Sequence, residues 1–401
     1  MFEFKDIYWE VHPVFFVSRF LGMSPYTRRF KLSLICTTVT VLYILWTASN
    51  STYIFILMHK LNSTFKLSPY SLILERVQTS IVTIVMIMSF CLSIANVRQL
   101  EGLMESFSRA DRELRGVGVF VSPSRKFGLI TIGIRLTIVF SILYKELRAT
   151  AGTVTQLMIQ YLIIAPMTMA FIPEAQFMVL VNAIHLRVST MIADMKSDVV
   201  NHYSSKSKKL QAFIIVHSFL VESCSTINSL YQIQILFIVS SIFINNTANA
   251  YHVIEKTVHL ILHFSEADAL TLTITASRVI LRTYEVWSVV ATCFRTQETI
   301  KEFNCMLYQV MIEDESGTLA ENKKLQLHVS MKKEVEFTAY NFFPIDYTLV
   351  HSMISAATTY LVILVQFSSL SATPETTTPA AAAPPTAIPT TVSPVFTNSL
   401  I

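Results

Sequence analysis

Seven apolar runs dominate this chain of 401 residues and constrain its fold more than any other feature. A helix needs about 20 predominantly apolar residues to cross roughly 30 Å of hydrocarbon. The runs cover 32–49, 77–97, 127–144, 154–186, 228–251, 268–294 and 345–370. The sequence therefore predicts an all-α membrane protein with seven transmembrane helices.

The composition agrees with a membrane protein and argues against a soluble enzyme. The chain is 52% hydrophobic and only 14% charged, whereas soluble domains carry about 25% charged residues. It has 8 glycines and no glycine-rich loop, which argues against a nucleotide-binding α/β enzyme. The N-terminal segment carries charges within its apolar stretch, so no cleavable signal peptide is expected and the first span should direct its own insertion.

The basic residues predict how the helices are oriented. With the N-terminus in the cytoplasm and the C-terminus outside, 22 of the 31 Lys and Arg residues fall on the cytoplasmic side and 6 outside. Such an excess is the signature of cytoplasmic loops. Asn50 and Asn62 begin glycosylation sequons, and both fall in the first segment predicted to be extracellular. This orientation is opposite to that of a G-protein-coupled receptor.

The segments between spans predict helical extensions on the cytoplasmic side. LEGLMESFSRADREL and FRTQETIKEFNCMLYQVMIEDE carry apolar residues at helical spacing, which favours an anchor bundle over loose loops. The tail holds 6 of the 13 prolines and should be disordered. The predicted parts are a cytoplasmic N-terminus with a short helix (1–31), six helices forming a ligand-binding bundle (32–294), an intracellular anchor segment (295–344), a seventh helix (345–370) and an extracellular tail (371–401).

No pattern in the sequence indicates an enzyme, a cofactor or a metal site. The five cysteines include no pair at metal-binding spacing, and no catalytic triad or phosphate loop can be assembled. Glu255, His259 and His263 share a helical face, but HLILH lacks the internal glutamate of a zinc-hydrolase motif. No cofactor, metal or nucleic-acid partner is expected.

Polar side chains within the apolar runs are the candidates for ligand binding. Ionisable residues inside a span are functional candidates by default, and amides beside aromatic walls suit a small polar ligand. Arg278 and Arg282 lie one turn apart, and pairing with Glu285 or Glu174 is the alternative to ligand contact. Asn245 lies in the same polar group but is not assigned to the ligand. The predicted ligand-binding residues are Gln160, Tyr161, Asn246, Asn249, Arg278 and Arg282.

The last run carries a glutamine deep in an apolar helix. Residues seven apart differ by about 20° around a helix, so Thr359, Ile363, Gln366 and Leu370 share one face. If several copies met around an axis, this face would line a pore, with an apolar constriction at Ile363 and a polar ring at Gln366. The alternative is a glutamine bonded within one subunit.

The stretch TYLVILVQF, residues 359–367, resembles the signature that ends the seventh helix of insect gustatory receptors. Three further segments also resemble that family: RFLGMSPY near the N-terminus, EAQF at 174–177 and FTAYNFFPIDYTLVHSMISAATTY ahead of the signature. Members of the family usually stop soon after the signature, so the tail after residue 370 is a departure from the pattern.

The resemblance implies a homotetrameric, tastant-gated, non-selective cation channel in the plasma membrane of a sensory neuron. By motif position, Ile363, Gln366 and Phe367 would form the gate, while Thr359 and Tyr360 would couple the ligand pocket to the pore. The implied ligand is a small plant-derived molecule. Leu361 stands where one sugar-receptor group carries an acidic residue, which leaves fructose-type and bitter ligands open.

Three alternatives to this interpretation differ in class. An odorant-receptor-like subunit would need a co-receptor, and a hetero-oligomer with related receptors is a variant of that idea. A G-protein-coupled receptor would need an extracellular N-terminus. A secondary transporter would more often show internal repeats or glycine-broken helices, and neither is present in the sequence.

Overall fold

The computed structural model describes residues 7–26, 33–64, 69–149, 171–198, 206–263, 266–312 and 335–372. This part of the chain is almost entirely helical, as predicted. The elements are α1 (Ile7–Phe20), α2 (Leu34–Thr64), α3 (Pro69–Ala95), α4 (Val97–Gly116), α5 (Lys126–Ala149), α6 (Phe171–Asp198), α7 (Lys206–His263), α8 (Glu266–Ile312), β1 (Thr338–Ala339), β2 (Phe343–Pro344) and α9 (Tyr347–Ala372).

The two β-strands within the described residues are two residues long each and form one hairpin. β1 and β2 pair antiparallel, with Thr338 opposite Pro344. The turn between them places Tyr340 and Asn341 at φ 51° and 59°. This left-handed region matches the twist of a tight hairpin, and asparagine tolerates it better than most residues. The hairpin lies in the segment predicted as part of the intracellular anchor.

Two helices continue far beyond the predicted spans. α7 runs for 58 residues and α8 for 47, more than twice the length that a bilayer requires. They pack along each other, and α6 packs against both. α7 thus joins the predicted fifth span to the segment before it, and α8 continues past residue 294. That these extensions lie in the cytoplasm stays a prediction.

Within the described residues, four helices are long and apolar enough to cross a membrane. They contain Arg76–Ala95, Phe171–Ser197, Lys208–Val258 and Tyr347–Gln366, and Leu34–Ser49 is a shorter apolar stretch. Part of the predicted fourth span, 154–186, falls outside the described residues. The count of seven spans and the orientation of the termini therefore stay predictions.

The segment predicted to be the first extracellular loop is helical as far as Thr64. The sequence from Leu34 to Thr64 contains no glycine or proline, so nothing interrupts the helix before the segment that leads to Pro69. Asn50 and Asn62 consequently lie in α2 rather than in a loop, and their side chains are outside the described set.

A buried charge cluster fixes α1 and α4 to α6. Arg187 donates to both carboxylate oxygens of Asp111, at 2.8 and 2.9 Å, and to Glu10 Oε2 at 3.2 Å. It also donates to the carbonyl of Ala183 at 2.8 Å and lies 5.0 Å from the ring centre of Phe107. Arg187 itself is fully buried inside α6.

Candidate functional site

The base of α9 is fixed by a helix cap and by aromatic contacts. Asp346 Oδ1 accepts a hydrogen bond from the backbone N–H of Thr348 at 2.9 Å. In this way an aspartate caps the N-terminus of a helix, where the first N–H groups have no partner within the helix. The ring of Tyr347 packs edge-on against Phe294 and Trp287 of α8, with centroids 5.1 and 6.0 Å apart. Because Asp346 is the cap, α9 begins two residues later than the predicted start at 345.

The remainder of α9 lies almost bare on the outside of the chain. Only 6% of the apolar window within Tyr347–Gln366 is buried. Ile363 is 39% exposed, and Thr359 and Gln366 are also exposed. These three residues share the predicted face. Phe367 lies in α9, but its side chain is outside the described set.

One aromatic contact ties the predicted coupling residues to the rest of the chain. The ring of Tyr360 packs edge-on against Phe243 of α7, with centroids 6.1 Å apart. Neighbouring Thr359 donates its hydroxyl to the carbonyl of Ser355 within α9. Tyr360 is therefore the member of the pair that reaches another helix.

Three predicted ligand-binding residues lie on facing parts of α7 and α8. Asn246 donates its side-chain amide to Thr283 Oγ1 at 3.1 Å, which crosses from one helix to the other. Asn249 lies three residues after Asn246 in α7, and Arg278 lies five residues before Thr283 in α8. Both side chains are half-buried. Gln160 and Tyr161, predicted to join them, lie outside the described residues.

Arg282 faces a small pocket, referred to here as the α3–α7–α8 pocket. Its guanidinium donates to Glu285 Oε2 at 2.8 Å, so it forms one of the two pairings that the sequence left open. Asn245 donates its amide to the carbonyl of Ser241 at 2.7 Å, while its Oδ1 is buried and has no partner among the described residues. The pocket is lined by Val82, Val85, Ile238, Ser241, Ile242, Asn245 and Arg282.

Sequence reasoning missed the position of Asn245 in this pocket. The polar cluster Asn245, Asn246 and Asn249 was visible, but three amides within five helical positions point in different directions. Only the packing of α7 against α3 and α8 shows which amide is turned inward. The pocket thus offers an unsatisfied acceptor from Asn245 close to the cation of Arg282.

Another buried ion pair connects α5 to α6. Arg135 of α5 donates to Glu174 Oε2 of α6 at 3.4 Å and to Ser288 Oγ of α8 at 3.2 Å. Both charged side chains are nearly inaccessible. The pair joins three helices at the level where Glu174 begins the EAQF stretch. Breaking a buried pair leaves an uncompensated charge, so this contact favours one arrangement of the three helices.

The sequence model of the 7tm chemosensory receptor family matches residues 11–371 of this chain. The chain belongs to the 7tm chemosensory receptor family. The resemblance to insect gustatory receptors that the motifs carry is therefore confirmed at the level of the family.

Curated relatives of this family member come from Drosophila melanogaster. Gustatory receptor 28b is 24% identical over 323 residues, which is 68% of this chain and 65% of that receptor. Gustatory and pheromone receptor 32a is 58% identical over 41 residues, 10% of this chain and 9% of that receptor. The chain thus aligns with just under two thirds of the length of gustatory receptor 28b.

The fold of this family member is similar to that of a solved olfactory receptor. The insect olfactory receptor OR5 from Machilis hrabei superposes with a TM-score of 0.58 at 13% identity, over 89% of this chain and 97% of that one. The same receptor in complex with eugenol superposes with a TM-score of 0.54 over the same shares. The similarity shows a shared fold.

Proposed function

We propose that this chain is a gustatory receptor subunit that forms a non-selective cation channel gated by a small tastant. The observation that carries the proposal is the exposure of α9. A helix of this hydropathy is stable only when lipid, another protein surface or both cover it. Its exposed face also carries the polar side chains of Thr359 and Gln366, which suit the wall of a water-filled path.

A pore built from several copies accounts for both properties. In a homotetramer, four α9 helices would turn Ile363 and Gln366 toward a central water-filled path and their other faces toward lipid and neighbouring subunits. Ile363 would form the apolar constriction, and Gln366 would meet water and its counterparts in the other subunits. Phe367 joins this gate by its position in the motif. The N-terminus would face the cytoplasm and the C-terminus the outside.

The ligand would bind in the α3–α7–α8 pocket and its surroundings. Asn245 offers an acceptor and Arg282 donors, and the apolar lining suits the carbon skeleton of a small molecule. Asn246, Asn249 and Arg278 lie beside the pocket on the same helices. Such a site favours a neutral or weakly acidic molecule with hydroxyl groups, a description that fits both sugars and glycosidic bitter compounds.

The route from pocket to pore would run along α7. Phe243 is two residues from the pocket residue Asn245, and its ring touches Tyr360 of α9. A ligand that rotates α7 by a fraction of a turn would therefore displace the contact between Phe243 and Tyr360, which lies in the C-terminal half of α9. The plasma membrane of a sensory neuron is the location where such a channel would work.

An odorant-receptor-like subunit is the second candidate. The observation that favours it is the fold shared with an olfactory receptor, one form of which is in complex with eugenol. Such a subunit would share the pore but would bind a more apolar ligand and depend on a co-receptor.

Whole-cell current tests the proposal. Cells expressing this chain alone receive a panel of sugars, alkaloids and glycosides while G-protein signalling is blocked. We expect a ligand-evoked cation current that survives the block and that Asn245→Leu weakens, with Cys305→Ser as an exposed control. A current that the block abolishes would contradict the channel. A current that appears only with a co-expressed relative would favour the second candidate.

A further inference from the structure

A second polar pocket lies earlier in α7 than the α3–α7–α8 pocket and belongs to no site described so far. It is referred to here as the inner pocket, because it lies toward the predicted cytoplasmic end of the spans. Gln234 lines it and lies 11 residues before Asn245, about 16 Å along the helix axis. Its polar lining residues are Tyr26, Ser93, Asn96, Gln176, Tyr231 and Gln234, beside three leucines.

The walls of the inner pocket are held by a buried hydrogen-bond network. Gln176 of α6 donates its amide to Ser18 Oγ at 2.6 Å and to Ser24 Oγ at 3.2 Å. Tyr231 of α7 donates its hydroxyl to Gln176 Oε1 at 3.2 Å. Asn96, between α3 and α4, donates to the carbonyl of Leu230 at 3.0 Å. Four separate parts of the fold therefore meet at fixed positions around this pocket.

One hydrogen-bond acceptor at the inner pocket has no donor among the described residues. Gln234 is 5% exposed, and its amide donates to the carbonyl of Ser89 at 3.5 Å. Its Oε1 is buried and has no hydrogen-bond partner among the described residues. A buried acceptor without a donor costs free energy, and native proteins rarely tolerate it without a water, ion or ligand. The acceptor therefore needs a donor, which an ordered water or the hydroxyl of a ligand can supply.

The lining also restricts the charge of that ligand. None of the nine residues around the inner pocket is charged. A charged ligand would lose its hydration without gaining a partner, which is costly in a buried site. Leu92, Leu100 and Leu230, with the rings of Tyr26 and Tyr231, offer apolar surface instead. The chemistry therefore fits a neutral molecule with a hydroxyl on an apolar body.

We propose that the inner pocket binds a neutral hydroxyl-bearing molecule whose O–H donates to Gln234 Oε1. Bound there, the molecule bridges α7 to α6, to the junction of α3 and α4, and to the segment after α1. The site is separate from the tastant pocket and goes beyond the proposed function. Its ligand chemistry has two sources: a free alcohol from the aqueous phase, or a membrane lipid with a free hydroxyl, such as a diacylglycerol.

Equilibrium binding to the purified full-length chain in phosphatidylcholine nanodiscs tests the proposal, with empty nanodiscs as the blank. The probes are benzyl alcohol and benzyl methyl ether, which have similar apolar bodies but differ in the hydroxyl donor. We expect the alcohol to bind about tenfold more tightly than the ether, because only the alcohol pairs with the buried acceptor. Equal binding of the two probes by the unmodified protein would overturn the proposal.

Two variants locate the binding. Gln234→Leu keeps the apolar wall and removes the acceptor, so the preference for the alcohol should disappear. Cys305→Ser, at an exposed residue that lines neither pocket, should leave the preference intact. A preference that survives Gln234→Leu would place the alcohol elsewhere and overturn the assignment. If Gln234→Leu does not fold, the comparison of alcohol and ether on the unmodified chain still decides.

Nanodiscs that also contain dioleoylglycerol distinguish the two sources of the ligand. Loss of benzyl alcohol binding in these discs supports the site with a lipid hydroxyl as its occupant. Unchanged binding supports the site with a free alcohol as its occupant. Because these readouts measure binding and not current, they remain decisive whether or not the chain conducts ions.

Discussion

α6 and α9 are both apolar helices of membrane-crossing length, yet they differ in how the chain covers them. In α6, 72% of the apolar window is buried within the chain, whereas in α9 only 6% is buried. Hydropathy alone does not distinguish these two helices. The chain itself covers most of α6, whereas it leaves most of α9 uncovered.

The polar residues of the two helices show the same contrast. In α6, Glu174, Gln176 and Arg187 each bond to a side chain on another element. In α9, Thr358 and Thr359 donate their hydroxyls to carbonyls one turn back in the same helix. Polar groups therefore cross-link α6 into the core, whereas these two threonines of α9 bond only within their own helix.

The largest expected effect comes from breaking the cross-link at Arg187. Arg187→Met would leave Asp111 and Glu10 buried without their cation, which costs about 3–5 kcal/mol. We expect a strong loss of folded protein, measured by thermal unfolding and by size-exclusion chromatography in detergent. The matched control is Lys196→Met, which lies on the same helix as Arg187. It removes an exposed ion pair with Glu302 of α8 and should cost less than about 1 kcal/mol. Similar losses for both variants would refute the role of the buried cluster.

A pair of isoleucines sharpens the comparison between the two helices. Ile184 of α6 is fully buried, and Ile363 of α9 is exposed. Ile184→Ala should lower the free energy of unfolding by about 2–4 kcal/mol, whereas Ile363→Ala should change it by less than about 0.5 kcal/mol. If the exposed face forms a gate, Ile363→Ala should instead raise the current in the absence of ligand. Thermal unfolding and basal current together test both halves of this prediction.

The contact between Tyr360 and Phe243 tests the coupling of α9 to α7. An edge-on aromatic pair contributes about 0.5–1.5 kcal/mol, so Tyr360→Leu should change the ligand concentration for half-maximal current by about two- to tenfold. Dose–response curves measure this shift. Tyr53→Leu, at a similarly exposed tyrosine of α2, is the control. An unchanged curve for Tyr360→Leu would exclude this contact from the coupling route.

The smallest expected effect is at Glu10. Burial raises the pKa of this carboxyl above its ordinary value of 4.5, and the charge of Arg187 only partly opposes the rise. A raised pKa in the folded state means that stability is highest below the ordinary value and falls as the pH rises through the folded one. Glu10→Gln should remove this fall and cost less than about 1 kcal/mol, because Arg187 keeps both bonds to Asp111. Thermal unfolding of the two proteins across the pH range checks this.

The sequence allowed the helical class, the family and the position of α9 to be predicted, because apolar runs and the TYLVILVQF motif are local signals. Three features escaped it for physical reasons. The continuation of α2 to Thr64 depends on the absence of a breaker rather than on a positive signal. The burial of Arg187 depends on Asp111, 76 residues away in the chain. The inward turn of Asn245 depends on how α7 packs against α3 and α8.

The same limit applies to the candidate site. Arg282 and Asn246 could be named from their placement in apolar runs, but their partners, Glu285 and Thr283, could be assigned only from the packing. The inner pocket gave no local signal at all. Gln176 lies in the EAQF motif and Gln234 in α7, and only the tertiary fold brings them together.

Cysteine accessibility on α9 tests the central claim, that its exposed face lines a water-filled pore, most directly. Gln366→Cys and Val365→Cys place a thiol on two sides of the same turn. A membrane-impermeant thiol reagent is applied during ligand-evoked current, with the unmodified chain as the background control. We predict that the reagent blocks the current through Gln366→Cys and leaves Val365→Cys unaffected. A current through Gln366→Cys that resists the reagent, in a protein that reaches the surface and responds to ligand, would contradict the account.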